Sequence, residues 1–113
     1  IVNISSLSAR TGGVFSGMNY TGSKAAVLAL TKSFAKLLAP YNVNVNAICP
    51  GQVDTPMFRK LTQEQRTMLL KAIPLGRVGL PEDIAAATLF LASDLSDFVT
   101  GVALDINGGE LMH

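Results

Sequence analysis

Tyr20 and Lys24, four residues apart, are the pair whose types and spacing could do chemistry. On a helix that spacing stacks them on one face, with Cβ atoms about 6 Å apart. A free phenol titrates near ~10 and moves protons poorly at neutral pH. An ammonium about 5 Å away, in an effective dielectric of about 20, favours the phenolate by roughly 3 kcal/mol. Such a pair suits general acid–base work on an alcohol or ketone. Two solvated neighbours on a surface helix share the spacing, so the pair alone is also consistent with no site.

Ser6 follows the β-branched run Ile1-Val2-Asn3-Ile4. It would stand at the carboxyl end of a strand, where open parallel sheets bind their ligands. A hydroxyl there can hydrogen-bond a substrate oxygen or simply satisfy loop backbone alongside Ser5. Pro50-Gly51 ends a second strand in the same way. Glycine there admits close approach of a ligand, or makes an ordinary strand-to-helix turn. Thr55 follows, able to donate or accept.

The elements that must position these residues are readable from periodicity. Residues 1–5 predict a strand, and the Ser, Thr and Gly density from Ser5 to Gly17 predicts a loop. A helix is expected from Asn19 to Ala39, with Val27, Leu30, Phe34, Leu37 and Leu38 on one face and Pro40 as its stop. Val43, Val45 and Ala47 alternate with asparagines, which predicts a strand to about Ile48. Thr62 and Gln65 fit a capping box, opening a helix closed by Pro74. Pro81 opens another, to about Ala92, burying Ile84, Ala87, Thr88 and Leu91. Val102–Ile106 reads as a last strand before the Asn107-Gly108-Gly109 loop. Strands separated by helices imply parallel crossovers and a doubly wound α/β sheet.

Composition bounds the reading. The chain has 113 residues, 49% of them hydrophobic, enough for a packed core and too few residues for a second domain. Its single cysteine excludes a disulfide framework and a multi-cysteine zinc site, and no metal is expected. No apolar run approaches the ~20 residues of a membrane span. With 9 basic and 8 acidic side chains, nothing calls for nucleic acid or an anionic membrane. A cytoplasmic location is expected. The chain opens at Ile1 in mid-strand, and three strands are few for such a sheet, since sheets average about five or six. Residues 1–113 are therefore expected to be a partial domain whose N-terminal part lies elsewhere.

Several segments in order resemble one family: Asn3-Ile4-Ser5-Ser6, Tyr20-Thr21-Gly22-Ser23-Lys24, Asn46 to Thr55, and Asn107-Gly108-Gly109. Gly76-Arg77, Pro81 to Ala85, Phe90 to Asp94 and Thr100-Gly101 resemble it too. The family is that of the short-chain dehydrogenases/reductases, in its large classical branch near 3-oxoacyl-[acyl-carrier-protein] reductases and sugar or polyol dehydrogenases. The resemblance covers essentially the whole chain. It implies the C-terminal half of a Rossmann-type, dinucleotide-binding domain of about 250 residues. It implies NAD or NADP as cofactor and hydride transfer to or from a small carbonyl or alcohol substrate. Tyr20 would match the acid/base, Lys24 the residue that lowers its pKa and holds the nicotinamide ribose, and Ser6 the serine that orients the substrate oxygen. Pro50, Gly51, Val53 and Thr55 would lie against the nicotinamide. A homotetramer or dimer is implied for the full-length protein, through the long helix and the C-terminal strand region.

Three departures stand out. Ser6 and Tyr20 are one residue further apart than the family usually has, which an extra residue in the Gly12-Gly13 loop would absorb; Ser8 is the alternative serine. The Gly-rich phosphate loop is absent, as are the family's Asn-Ala-Gly segment and catalytic asparagine. Without that loop the chain could instead be a non-catalytic folding or association module. Cys49 reads as a small buried apolar residue and His113 as a frayed terminus. Tyr41 has Val45 where a lysine would be needed. Met57, Phe58, Met68 and Leu69 could line a substrate lid or pack a short amphipathic helix.

Overall fold

The structure, a computed structural model, describes residues 1–112; His113 lies outside the described residues. Three parallel strands form one sheet in the order β1 (Val2–Ile4), β2 (Asn46–Pro50), β3 (Ala103–Ile106). Asn3 pairs with Ala47, and Ala47 with Ala103. The first crossover carries α1 (Ser8–Thr11) and the long α2 (Met18–Leu38). The second carries α3 (Pro56–Arg59), α4 (Gln63–Lys71) and α5 (Pro81–Ala92). This is the α/β architecture expected, with strands joined only by helical crossovers.

The central strand is buried on both faces: Val45, Asn46, Ala47, Ile48 and Cys49 have no exposed surface. The asparagine alternation therefore does not mark a solvent face. Asn46 is fully enclosed because both ends of its amide are used. Its Nδ2 donates to the Val99 carbonyl at 2.8 Å, and its Oδ1 accepts from the Val102 amide at 3.1 Å. A buried amide so satisfied costs little. It also ties the segment before β3 to β2, and the strand runs to Pro50 instead of ending near Ile48.

Asn3 reaches α2 through Thr31, so residues sharing its parity face that helix. Ile48 points the other way and is still fully buried, while α5 packs across all three strands. Leu91 of α5 is buried, with Ile84, Ala87 and Thr88 half-buried beside it.

The expected apolar face of α2 is wider than the sheet covers. Thr31 and Ala35 are the buried positions, with Val27 and Leu38 half-buried. Leu30, Phe34 and Leu37 stay 53%, 44% and 63% exposed. The docked face of α2 is centred on Lys24, Thr31 and Ala35, and the bulkiest apolar residues face outward. The capping box at Thr62 is present, Gln65 N to Thr62 Oγ1 at 3.2 Å and Thr62 N to Gln65 Oε1 at 2.9 Å. The segment expected to be all loop before α2 contains the short α1, whose four residues carry no periodic signal.

Candidate active site

The first turns of α2 are bolted to the carboxyl end of β1 by hydrogen bonds. Ser5 Oγ donates to the Lys24 carbonyl at 2.8 Å. Lys24 Nζ donates to the Ile4 carbonyl at 3.0 Å. Further along, Asn3 Nδ2 donates to Thr31 Oγ1 at 2.9 Å. Tyr20, Lys24, Thr31 and Ala35 recur at helical spacing along this docked face. Tyr20 and Lys24 are thus not solvated neighbours on an outer surface. The Lys24 ammonium lies 5.7 Å from the centroid of the Tyr20 ring, within cation–π range. An ammonium has three donors, and Ile4 takes one.

Ser6 is set by the continuation of the ladder past β1. Ser5 N donates to the Ile48 carbonyl and Leu7 N to the Pro50 carbonyl, each at 2.9 Å. Ser6 Oγ lies 2.8 Å from Ser8 Oγ and accepts from the Ser8 amide at 3.2 Å. The two candidate serines are therefore bonded to each other, and Ser8 is the more buried.

Beyond β2, Gly51 N donates to the Ile106 carbonyl at 2.9 Å. A Cβ on Gly51 would stand 2.8 Å from Asn107 Cβ and 2.9 Å from Asn107 Cα. The close approach that this glycine permits is thus to the turn after β3. Val53 bridges Gly79, with Asp54 N donating to the Gly79 carbonyl and Gly79 N to the Gln52 carbonyl. That bridge pins the 52–54 segment. Thr55 caps α3, its Oγ1 accepting from Phe58 N at 3.4 Å.

These residues surround one cavity of about 730 Å³. That is within the ~300–1,000 Å³ range of small-molecule sites. Ser6, Tyr20 and Lys24 line it, as do Pro50, Gly51, Val53 and Thr55. Every site residue expected from sequence is on this wall. Met57, Phe58 and Leu69 line it too, whereas Met68 is half exposed and does not. Cys49 is buried in β2, and Tyr41 is exposed away from the cavity.

Gln52 and Glu110 are among the lining residues that the sequence does not single out. Gln52 Nε2 donates to both carboxylate oxygens of Glu110, at 3.2 and 3.4 Å. Burial pushes the Glu110 carboxyl above its ordinary range, and the Gln52 hydrogen bond partly opposes this. No spacing rule links positions 52 and 110; only the Asn107-Gly108-Gly109 turn hinted that the chain doubles back there. The remaining shifted acids lie at the surface. Asp83 is held down at about 2 by the Arg77 guanidinium and the Leu80 amide, and Asp54 is lowered by Arg59. Among the described residues, no three His, Cys, Asp or Glu side chains cluster as a metal site requires.

The family described as Enoyl-(Acyl carrier protein) reductase matches residues 1–110. The 3-oxoacyl-[acyl-carrier-protein] reductase FabG of Thermotoga maritima is 49% identical over 112 residues, covering 96% of this chain and 44% of that protein. A short-chain type dehydrogenase/reductase of Sinorhizobium fredii is 46% identical over 115 residues, covering 100% of this chain and 46% of that protein. The crystal structure of a Brucella melitensis 3-oxoacyl-[acyl-carrier protein] reductase superimposes with a TM-score of 0.95 at 37% identity, covering 99% of this chain and 42% of that one. A Brucella melitensis reductase with bound NAD gives 0.91 at 36% identity, covering 99% and 40%. The chain thus spans a little under half the length of the relatives it matches. It belongs to the short-chain dehydrogenase/reductase family.

Proposed function

We propose that the protein carrying this chain is an oxidoreductase that moves a hydride between a nicotinamide cofactor and a ketone or secondary alcohol, such as a 3-oxoacyl thioester or a sugar- or polyol-like compound. One observation carries the reading: Tyr20 and Lys24 lie on the docked face of α2, in the same cavity as Ser6, with the ammonium 5.7 Å from the phenol ring.

The residues present fit the nicotinamide end of NAD or NADP. Lys24 keeps donors for a ribose hydroxyl, and Pro50, Val53 and Thr55 give a mostly apolar wall for a flat ring. Bound there, the cofactor supplies or takes the hydride. Tyr20 gives the proton to the carbonyl oxygen in reduction and takes it from the alcohol in oxidation. Ser6 donates a hydrogen bond to the same oxygen and stabilises the charge that develops on it. Lys24 sets a positive charge beside the phenol throughout the transfer. Among the described residues there is no Gly-rich phosphate turn. The pyrophosphate and the choice between NAD and NADP belong to residues outside this chain.

The test is Tyr20→Phe in the full-length protein. Removing a positioned acid/base should cost about 10²–10⁴ in kcat. Undiminished turnover in a folded variant would sink the mechanism.

A second reading, association, has its own support. The surface is 7143 Å², whereas a compact chain of 11.9 kDa should expose about 5,950 Å². The excess of roughly 1,200 Å² is surface left for the rest of the parent domain and a second copy to cover, and it exceeds one side of a standard interface, about 800 Å². Exposed Leu30, Phe34 and Leu37 on α2, with exposed Leu89 of α5 and Leu95 and Phe98 of the segment leading to β3, offer apolar surface for such contacts. We assign these to homo-oligomer contacts in a dimer or tetramer. In isolation the 113-residue chain is then a self-associating module without turnover. The buried, unpaired Cys49 fits a reducing cytoplasmic compartment.

A further inference from the structure

The cavity wall is apolar over most of its area, with one acidic exception that the hydride-transfer chemistry does not use. We infer that Glu110, held by Gln52, is a specificity-determining residue that selects carbonyl substrates bearing a hydroxyl near the reacting carbon over isosteres with a methyl group in its place. This rests on the reading that Tyr20 and Ser6 act on a carbonyl in the same cavity.

The carboxylate is placed by backbone. Gly108 and Gly109 adopt φ of 63° and 87°, a turn that returns Glu110 N to the Asn107 carbonyl at 3.1 Å. Glu110 Oε2 then lies 3.3 Å from where a Gly51 Cβ would be. Gly51 is the neighbour of Pro50, whose carbonyl holds Leu7, the neighbour of Ser6. Ser6, Tyr20 and Glu110 line the same cavity, so a ketone held by Ser6 shares it with the Glu110 carboxylate.

The group also keeps unused acceptor capacity. A carboxylate offers about four lone-pair sites, and the Gln52 amide fills only part of that capacity. Among the described residues, the ion pairs are Arg10–Asp105, Arg59–Asp54 and Arg77–Asp83, and no cation pairs with Glu110. Burial raises the carboxyl, and the Gln52 hydrogen bond only partly offsets this. An apolar chain lying against it would remove the remaining water and add no donor, which is costly. A substrate hydroxyl would supply the missing donor. A substrate ammonium is disfavoured by Lys24, which already places a cation in this cavity.

The experiment uses the full-length enzyme with two isosteric pairs, hydroxyacetone with butanone and dihydroxyacetone with diethyl ketone. The quantity read is the ratio of kcat/KM within each pair. The expected ratio favours the hydroxylated ketone by at least about tenfold, the low end for a hydrogen bond to a charged group. Glu110→Leu should lower that ratio at least about tenfold, and Glu110→Gln, which keeps an acceptor, should fall between. If Glu110→Leu does not fold, Glu110→Gln and Gln52→Leu carry the comparison. A ratio unchanged by these substitutions, while Tyr20→Phe abolishes turnover, overturns the inference and leaves the hydride-transfer reading standing. Full turnover in Tyr20→Phe overturns that reading instead.

Discussion

One methyl group added at two glycines should change stability in opposite directions. At Gly51 a Cβ would meet Asn107 Cβ at 2.8 Å and Asn107 Cα at 2.9 Å, both on the turn after β3. The Cα is backbone and the Cβ is fixed to it, so neither can rotate away. The strain must be relieved by separating the ends of β2 and β3. Overpacking of this kind costs about 1–3 kcal/mol. In the full-length protein, at about 2–4 °C of melting temperature per kcal/mol, Gly51→Ala should melt at least ~2 °C lower. At Gly22, inside α2, a Cβ has nothing within 4 Å and the backbone is helical. Gly22→Ala should stabilise by about 0.5–1 kcal/mol, the helix-propensity difference. Thermal and urea melts followed by circular dichroism measure both. Because Gly51 lies between Pro50 and the Glu110 carboxylate, Gly51→Ala should also lower kcat/KM, while Gly22→Ala should leave it within a factor of a few. A Gly51→Ala protein as stable as the parent would refute the packing argument.

Other expectations follow from single contacts. Asn46→Ala leaves the Val99 carbonyl and the Val102 amide without their partner, and should cost about 2–4 kcal/mol in a denaturant melt. Ser6→Ala should lower kcat by roughly 10-fold or more with folding unchanged, since it removes a donor to the substrate oxygen. Asp83 titrates lower in the folded protein, at about 2, than when unfolded. Its stabilising contribution is therefore present above about pH 4 and lost as pH falls toward 2. Arg77→Ala should flatten that part of an acid-unfolding curve. The isolated 113-residue chain should bind NAD(H) more weakly than the full-length protein by calorimetry, because the pyrophosphate lacks its helix N-terminus.

The legible parts of the chain were those with local punctuation. Pro81 at a first turn marked α5, and the Thr62–Gln65 box marked α4, because both signals act within one turn of helix. The candidate site residues stand out in the sequence because each follows a strand or lies one helical turn from its partner. Alternation at Asn46 marks a strand but not its burial, since a period of two records which residues share a face and not whether that face meets water. The side chain is buried because Val99 and Val102, more than fifty residues away, satisfy it. The four-residue helices α1 and α3 are too short to show a period. Glu110 and Gln52 were invisible for the same reason as Asn46: their meeting is tertiary, made by the return of β3 alongside β2.

The misread face of α2 explains why Tyr20 and Lys24 are placed so firmly. Had the helix docked through Leu30, Phe34 and Leu37, its hold would have been non-directional burial, which tolerates rotation about the helix axis. It docks instead through Asn3 to Thr31, Ser5 to the Lys24 carbonyl, and Lys24 to the Ile4 carbonyl. Hydrogen bonds have directions, and three of them spread over two turns fix the rotation of the helix. A slip of one residue, about 100°, would break all three and turn Tyr20 out of the cavity. Using polar contacts for docking also frees the large apolar side chains to face outward, where they account for part of the excess surface. The contacts that aim Tyr20 into the cavity and the apolar surface left outward therefore come from one choice in the sequence: small hydrogen-bonding residues toward the sheet and bulky apolar ones away from it.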